Sequence, residues 1–522
     1  MNMNNNVLRL FGVLALSASL MSCNDFLSQE PDDRTQINDV KAAKELATTA
    51  YCEYSYIPLF ELRSDNVVDK GTRFPVGTNF LPNIYLFDGS VPSTYQDSPQ
   101  GFWRSSYGAI AAANQTLFDL NRTRATGAEA DAVRGEVLIA RAYAMYMLAQ
   151  AFTIPYDPAT ATTALGLPYP TEPEEELIKE YKRGTLQETY DLIVKDFEDG
   201  YKLVGDEYAA PKFHFTRQAS AAFGARLYRT LQQWDKVLAY GKDAFGDNIR
   251  QYIRKPNQAG SDYQGTYAER NNIWSMETEP CNFLVAVSVS SWSRYFYLRY
   301  ALNVTFKELF TKGQNFLNSQ FAFTFFGNTD YANIPKVQEH FKVTNQATGT
   351  GFVNVQSVLL SGDETLFNMA EAYVMKGDFA KAEELMQIFA DNFMVGSPKV
   401  TKEAITSYYQ SKVDKKNPDP LHGIEIDDFS PAFETSPEQE MYLRACLDLK
   451  RIAFIHDGLR WLDNRQYRMD IVHNVFSEGN AKEEFVVLKG TDPRYAFQLP
   501  DNVLPYLEKN PGYDQPIEPI SK

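Results

Sequence analysis

The sequence contains few cysteines and histidines, and none of them is arranged like a catalytic or metal-binding motif. Its four cysteines include no CxxC pair, which argues against a zinc ribbon and against a disulfide-dense scaffold. Its five histidines form no HExxH, and the chain has neither a GxSxG nor a phosphate-binding glycine loop. The common signatures of metalloproteases, serine hydrolases and nucleotide-binding enzymes are therefore missing, and we interpret Cys52, Cys281 and Cys446 as buried thiols.

A hydrophobic run long enough to cross a membrane is also missing. The apolar stretch LFGVLALSASLM, at 10–21, has about 12 residues, whereas a spanning helix needs about 20. It follows a polar start with one positive charge at Arg9, which is typical of an export signal. Leu20-Met21-Ser22-Cys23 resembles a bacterial lipobox, in which the cysteine is acylated and becomes the mature N-terminus.

We therefore predict a lipoprotein signal peptide at 1–22 and a lipidated tether at 23–36, beginning with acylated Cys23. Several acyl chains on one residue hold a protein stably on a bilayer, whereas a single chain gives only marginal binding. The alternative is an ordinary signal peptide that happens to contain a cysteine.

An excess of positive charge is absent too. The chain carries 51 Lys and Arg against 67 Asp and Glu, a net charge of −16. This charge repels nucleic-acid phosphates and anionic lipid headgroups, and we find no basic patch that would offset it. We predict no nucleic-acid partner. What the chain has in abundance is aromatic residues, with 31 Tyr and 35 Phe.

Apolar residues recur every three or four positions in several segments, which predicts α-helices. The segments 216–245 and 363–391 are each predicted to form a helical hairpin, and the second matches the tetratricopeptide pattern with Gly377-Asp378 as its turn. A capping box at 436–439 starts another helix, which we expect to end near residue 457. The predicted fold class is therefore mostly α, with a tetratricopeptide-like repeat scaffold.

Long irregular stretches separate the helical blocks. They are rich in Pro, Gly, Asn and aromatic residues and lie at 61–100, 153–183, 250–350 and 393–435. Stretches of this length are usually folded and functional, so we expect the ligand to bind there. Alternating residues at 282–289 predict one short strand within them.

Six segments occur in order from end to end of the chain. They are CNDFLSQEP, WRSSYGAIAAANQTL, ARAYAMYMLAQAFTIPY, the hairpin at 363–391, RIAFIHDGLRWLDNRQ and FQLPDNVLPYLEKNPGY. Together they resemble the SusD/RagB family of outer-membrane nutrient-binding lipoproteins of Bacteroidetes.

The resemblance implies a SusD-like domain over 37–522, in which a loop-rich, ligand-binding lobe is inserted into the helical scaffold. The scaffold helices are expected near 37–60, 100–152, 185–246, 362–392 and 436–463, and the excursions at 61–100, 250–350 and 393–435. The resemblance also implies a lipid-anchored protein, exposed on the outer membrane. It would bind glycan, or peptide as in RagB-like branches, and deliver it to a SusC-like TonB-dependent transporter without chemistry.

Two aromatic excursions supply the candidate ligand contacts. Sugars stack their apolar faces on exposed rings, and their hydroxyls bind planar polar groups. In WSRYFYLRY, at 292–300, an extended chain would place Trp292 and Arg294 on one side and Tyr295 and Tyr297 on the other. These four residues are candidates, and the alternative is that the rings are all core.

The second excursion is GTRFPVGTNFLPNIYLFDGS, at 71–90, which adds Arg73, Asn79 and Tyr85 as candidates. The resemblance supports both excursions, because the family's glycan site draws on them. Trp103 and Trp461 lie within scaffold motifs, and we assign both to the core.

Other function classes remain open on the sequence alone. A surface glycoside hydrolase needs two suitably spaced carboxylates, for which 174–176 (three Glu) is a candidate, although adjacent acids after a proline usually form a solvated loop. Asp414, Asn417 and Asp419 offer oxygen ligands for calcium but lack the EF-hand glycine and bidentate acid. A repeat adaptor that binds no nutrient is the third hypothesis. We predict a non-catalytic protein without a cofactor.

Overall fold

The structure is a computed structural model that describes residues 39–174, 181–323, 325–328, 330–476 and 483–521. The predicted signal peptide, Cys23 and the tether lie outside these residues. Within the described part of the chain, no helix is both long and apolar enough to cross a membrane.

Helices dominate the described residues. The α-helices are α1 (Val40–Ala47), α2 (Ile57–Arg63), α3 (Leu81–Tyr85), α4 (Pro99–Arg122), α5 (Ala128–Phe152), α6 (Leu186–Tyr201), α7 (Arg217–Thr230), α8 (Trp234–Phe245), α9 (Tyr267–Ile273), α10 (Val304–Thr311), α11 (Gly362–Met375), α12 (Phe379–Phe393), α13 (Lys402–Tyr409), α14 (Pro437–Ala453) and α15 (Leu459–Gln466).

The strands are short and form small antiparallel sheets. They are β1 (Val68–Asp69), β2 (Asn282–Val289), β3 (Tyr300–Ala301), β4 (Phe326–Gly327), β5 (Ala332–Asn333), β6 (Gln338–Asn345), β7 (Thr350–Ser361), β8 (Asn417–Pro418), β9 (Glu425–Ile426), β10 (Ile471–Val475), β11 (Glu484–Leu488) and β12 (Ile520–Ser521). The sheet orders are β1-β3, β2-β7-β6, β4-β5, β8-β9 and β10-β11-β12.

The scaffold is a series of helical hairpins packed side by side, which confirms the predicted mostly α, tetratricopeptide-like fold. Helices α4 to α6 pack in sequence, α7 pairs with α8, and α11 pairs with α12. Helix α8 lies against α11, where Gly241 leaves no room for a side chain: a Cβ there would overlap Cγ and Sδ of Met369. Both predicted hairpins are therefore present and directly in contact.

The predicted start of helix α14 is confirmed, whereas its predicted end is wrong. Helix α14 begins with the expected capping box, in which the Ser436 side chain accepts the N–H of Gln439. It ends at Ala453 instead of 457, because the chain then turns through Gly458 in a left-handed conformation before α15 starts. The predicted strand at 282–289 is β2.

The core contains both scaffold tryptophans, as predicted. Trp103 is 9% exposed, and Trp461 is fully buried and stacked on Tyr495 with ring centroids 5.1 Å apart. Cys281 and Cys446 are buried as expected, whereas Cys52 is only half-buried.

A buried ionic network joins the C-terminal helices to α7. Glu371 accepts hydrogen bonds from Arg229 (2.7 Å), Lys450 (2.7 Å) and the Tyr467 hydroxyl (2.6 Å). Asp463 accepts from the same two cations, at 2.7 Å from Arg229 and 2.5 Å from Lys450. The two cations hold the pKa of Glu371 below its ordinary value despite its burial, to about 2. Every charge in this network thus has a partner of opposite sign.

A second buried carboxylate, Glu61, forms no ion pair with the described residues. It accepts the N–H groups of His456 (3.1 Å) and Gly458 (3.3 Å) and the amide of Asn66 (3.4 Å). Burial raises its pKa to about 7. An unfolded glutamate titrates at about 4.3, so between these two values the folded state binds more protons than the unfolded state.

We therefore expect the free energy of unfolding to fall as pH rises from about 4.5 to 7. The Glu61 carboxyl has the lower pKa in the unfolded state, so rising pH ionises it there first and stabilises the unfolded state relative to the folded state. Glu61→Gln removes the titration and keeps an acceptor oxygen for His456 and Asn66, although its NH2 group cannot accept from Gly458. Denaturant unfolding of both proteins at several pH values should show the wild type losing stability relative to the variant across this interval. Parallel pH profiles would contradict the expectation.

Candidate functional site

The aromatic segment at 292–300 does not form the predicted extended chain. Trp292–Tyr297 is a 3-10 helix, so side chains three apart share a face. Trp292 is buried and donates its indole N–H to the His456 carbonyl (3.2 Å), and Tyr295 is buried and donates to Asp97 (3.1 Å). Neither ring presents a face to solvent. Their placement as ligand contacts is corrected to core, because the helical turn points them inward.

The remaining two candidates of this segment are exposed. Arg294 makes two hydrogen bonds to the carboxylate of Glu339, at 2.6 and 2.8 Å, which occupies its guanidinium. The side chain of Tyr297 is 52% exposed. Tyr297 is therefore the residue of this segment whose ring is open to a ligand.

The candidates of the second excursion also include both buried and exposed residues. Tyr85 is fully buried at the end of α3, where its ring stacks on His473 and Tyr300 at centroid distances of 4.1 and 4.5 Å. Its hydroxyl accepts the N–H of Asp69 (2.8 Å), so it too is corrected from a ligand contact to the core. Asn79 and Arg73 are exposed.

Four rings form a surface group that we call the tyrosine cluster: Tyr267, Tyr297, Phe326 and Tyr331. The rings of Tyr297 and Tyr331 lie 4.7 Å apart between centroids, and Tyr267 packs edge to face on Phe326 at 5.1 Å. Tyr267 is 41% exposed, and Phe326 and Tyr331 are half-buried. Partial burial, followed by the nearby Tyr267 and Tyr331, raises the pKa of Tyr297 above its ordinary value.

The turn at 328–331 connects the tyrosine cluster to the second excursion. The Asn328 side chain accepts the N–H groups of Asp330 (2.8 Å) and Tyr331 (3.3 Å), which fixes the turn. Asp330 then accepts a hydrogen bond from Arg73 at 2.7 Å. The structure therefore brings together two of the sequence candidates, Arg73 and Tyr297, through adjacent residues of a third segment.

A polar cavity of about 430 Å³ adjoins this turn. Its lining includes Lys70, Arg73, Asn303, Asp330 and Glu483. The Lys70 ammonium donates to the carbonyls of Phe296 and Asp330, each at 3.1 Å. It thereby joins the 3-10 helix to the turn that carries Tyr331, and desolvation lowers its pKa to about 8.

Exposed rings beside a polar cavity can bind a ligand that has both apolar faces and hydroxyl groups. The rings offer stacking surfaces. The guanidinium of Arg73 and the Asp330 carboxylate keep donors and acceptors for hydroxyls beyond the hydrogen bond between them. Sequence reasoning missed Lys70, Tyr267, Phe326, Asp330 and Tyr331, and only the Asn-x-Asp-Tyr turn pattern could have pointed to the last two.

Several of the residues weighed for catalysis and calcium are held by other contacts where the structure describes them. Glu174 accepts a hydrogen bond from Tyr181, and Glu175 and Glu176 lie outside the described residues. Asn417 donates to Asp428 (3.0 Å), and Asp419 accepts the N–H of His422 (2.7 Å), so both hold their own loop together. Among the described residues, no group of three or more His, Cys, Asp or Glu side chains could hold a metal ion.

Comparison with known proteins gives one family and one fold. Residues 25–229 match the SusD-like family described as "Starch-binding associating with outer membrane". No curated protein matches the chain significantly.

Solved structures match over nearly the whole chain at low identity. A SusD superfamily protein from Bacteroides vulgatus is 15% identical, with 91% of this chain and 99% of that chain covered at a TM-score of 0.61. One from Bacteroides thetaiotaomicron is 15% identical, with 91% and 100% covered at 0.59. A SusD-like carbohydrate-binding protein from Bacteroides vulgatus is 14% identical, with 90% and 97% covered at 0.57. At these identities the structures establish the shared fold.

Proposed function

We propose that the chain is a SusD-like protein, a cell-surface glycan-binding lipoprotein that captures oligo- or polysaccharide without catalysing a reaction. The observation that carries the proposal is the tyrosine cluster, whose exposed rings lie beside Arg73, Asp330 and the polar cavity. Contiguous exposed apolar rings on a folded domain often mark a binding site. The family description, which names starch binding, supports glycan as the ligand class.

Binding by a few rings and hydroxyl contacts suits capture followed by release. Each polar contact replaces one with water, so its net contribution is modest. The stacking contribution then sets most of the affinity. We propose that the captured glycan passes to a SusC-like TonB-dependent transporter, and that acylated Cys23 anchors the protein to the outer membrane. Both statements follow from the sequence resemblance.

We propose that no cofactor takes part. Calcium is the alternative, because the side chains at 414–419 carry oxygen atoms that can bind it. Titrations with and without a chelator separate the two, since affinity should be unchanged if the site needs no metal.

The test is calorimetric titration of the processed protein with a panel of polysaccharides and oligosaccharides, with peptides alongside. We expect at least one glycan to bind and no new reducing ends to appear on incubation. The double variant Tyr267→Ala, Tyr331→Ala should lose binding. Tyr506→Ala is the matched control, since Tyr506 is 70% exposed and outside the cluster.

Three outcomes would contradict the proposal. New reducing ends would make the protein a glycoside hydrolase, and binding of peptides alone would make it a RagB-like peptide-uptake protein. Binding of neither class, with nutrient import intact, would favour a repeat adaptor.

A further inference from the structure

A groove of about 820 Å³ lies at the outer edge of β2, and it is separate from the tyrosine cluster and its cavity. Its lining includes Thr49, Glu53, Arg104, Gly108, Val287 and Lys342. None of its lining residues lines the cavity beside the cluster. It therefore offers a second surface that the proposed glycan site does not use.

The backbone of β2 presents open hydrogen-bonding groups to this groove. Ser290 donates its N–H toward β7, to the Val353 carbonyl (3.2 Å), whereas Val289 donates away from β7, to the Glu53 carbonyl (2.9 Å). Directions alternate along a regular strand, so Val287 also points its N–H and C=O groups away from β7. Outside the ladder with β7, no described residue accepts from the N–H of Val287.

The chain itself shows what fits this edge. At Tyr54 it forms a parallel bridge to Val289, which covers one position of the edge. Residues of the segment before Tyr54 and residues of β2 both line the groove. Another extended segment could enter there and continue the ladder that the Glu53 to Val289 hydrogen bond begins. Edge strands with open backbone groups bind extended peptides by strand addition.

The groove walls indicate the charge of the occupant. Arg104 is exposed and donates to the Tyr54 hydroxyl (2.9 Å), and Lys342 projects from β6. Neither cation forms an ion pair with the described residues, and Glu53 is the one carboxylate among the lining residues. Two unmatched cations against one carboxylate favour an acidic segment.

We propose that the outer edge of β2 is a docking site for an extended, acidic segment of a partner polypeptide. The segment pairs with β2 through the outward groups of Val287, and its acidic side chains meet Arg104 and Lys342. The exposed side chain of Val287, 50% accessible, supplies an apolar contact in the middle of the site.

Two blocked tetrapeptides, Asp-Val-Glu-Val and Lys-Val-Lys-Val, are the probes, with an N-methylated form of the acidic one. We expect the acidic peptide to bind about 10-fold more tightly than the basic one, because only its charges match the walls. N-methylation removes the ladder donors and should abolish binding. Hydrogen exchange at the amide of Val287 should be fast in the free protein and slow in the complex.

Two variants test the site without touching the sheet interior. Val287→Pro removes an outward N–H that no ladder bond uses, a position that edge strands tolerate. Gly108→Leu fills the groove from α4, where an added Cβ meets nothing within 4 Å. Both should lose peptide binding while their thermal unfolding and glycan titration remain those of the wild type.

Equal binding of the two peptides, or none at millimolar concentration, would overturn the proposal. So would slow exchange of the Val287 amide in the free protein. Self-association that Val287→Pro abolishes would show that the occupant is a second copy instead of a partner. Since glycan titration is measured separately, failure here is distinguishable from failure of the glycan-binding proposal.

Discussion

Replacing Glu371 with leucine is expected to lower the free energy of unfolding by about 3–5 kcal/mol, the loss typical of breaking a buried ion pair from one side. Glu371 is completely buried and bonds Arg229, Lys450 and Tyr467. Without it, two buried cations share the single carboxylate of Asp463. Water cannot reach them to compensate, so the cost of their desolvation is no longer offset.

Denaturant unfolding measures this loss, and two further variants control for it. Glu384→Leu breaks the exposed pair between Lys381 and Glu384 and should change stability little. The double variant Glu371→Leu, Lys450→Met leaves Arg229 paired with Asp463 and should recover part of the loss. A wild-type-like midpoint for Glu371→Leu alone would show that the network contributes little.

Replacing Tyr297 with alanine is expected to weaken glycan binding about 30-fold, the effect of truncating a central aromatic contact worth about 2 kcal/mol. Its ring is the most exposed of the cluster and rests against Tyr331, which holds it in one orientation. A ring held in place loses little freedom when a sugar stacks on it.

Calorimetry with the best glycan of the panel measures the change. Tyr506→Ala should bind like the wild type because that tyrosine lies outside the cluster. Arg294→Ala should also bind normally, since its guanidinium is already occupied by Glu339. An unchanged affinity for Tyr297→Ala, or a large loss for Arg294→Ala, would move the site away from the cluster.

The helical scaffold was predictable because the signals that form it are local. Apolar spacing at 216–245 and 363–391 is set by the helix repeat, and the capping box at 436–439 lies within one turn. The last residue of α14 was not predictable, because the helix ends at Ala453, five residues before Gly458. The turn between them forms through tertiary contacts. Local patterns thus gave the hairpins and their order.

The candidate site was predictable only in part. Alternation around Trp292 is compatible with both a strand and a helical turn, and the choice depends on the packing of Trp292 against His456 and of Tyr295 against Asp97. The cluster itself joins Tyr267, Tyr297 and Tyr331, which are distant along the chain. Their meeting is a product of tertiary structure, which spacing along the sequence does not encode.

The close contact between Gly241 and Met369 has a chemical consequence for the scaffold. Oxidation would add an oxygen to the thioether of Met369 at a point where the two helices leave no space even for a methyl group. Met369 is 2% exposed, so peroxide reaches it only when α8 and α11 separate. The rate at which this one sulfur forms sulfoxide should therefore report how often that seam opens, and each oxidation event would keep it from closing again.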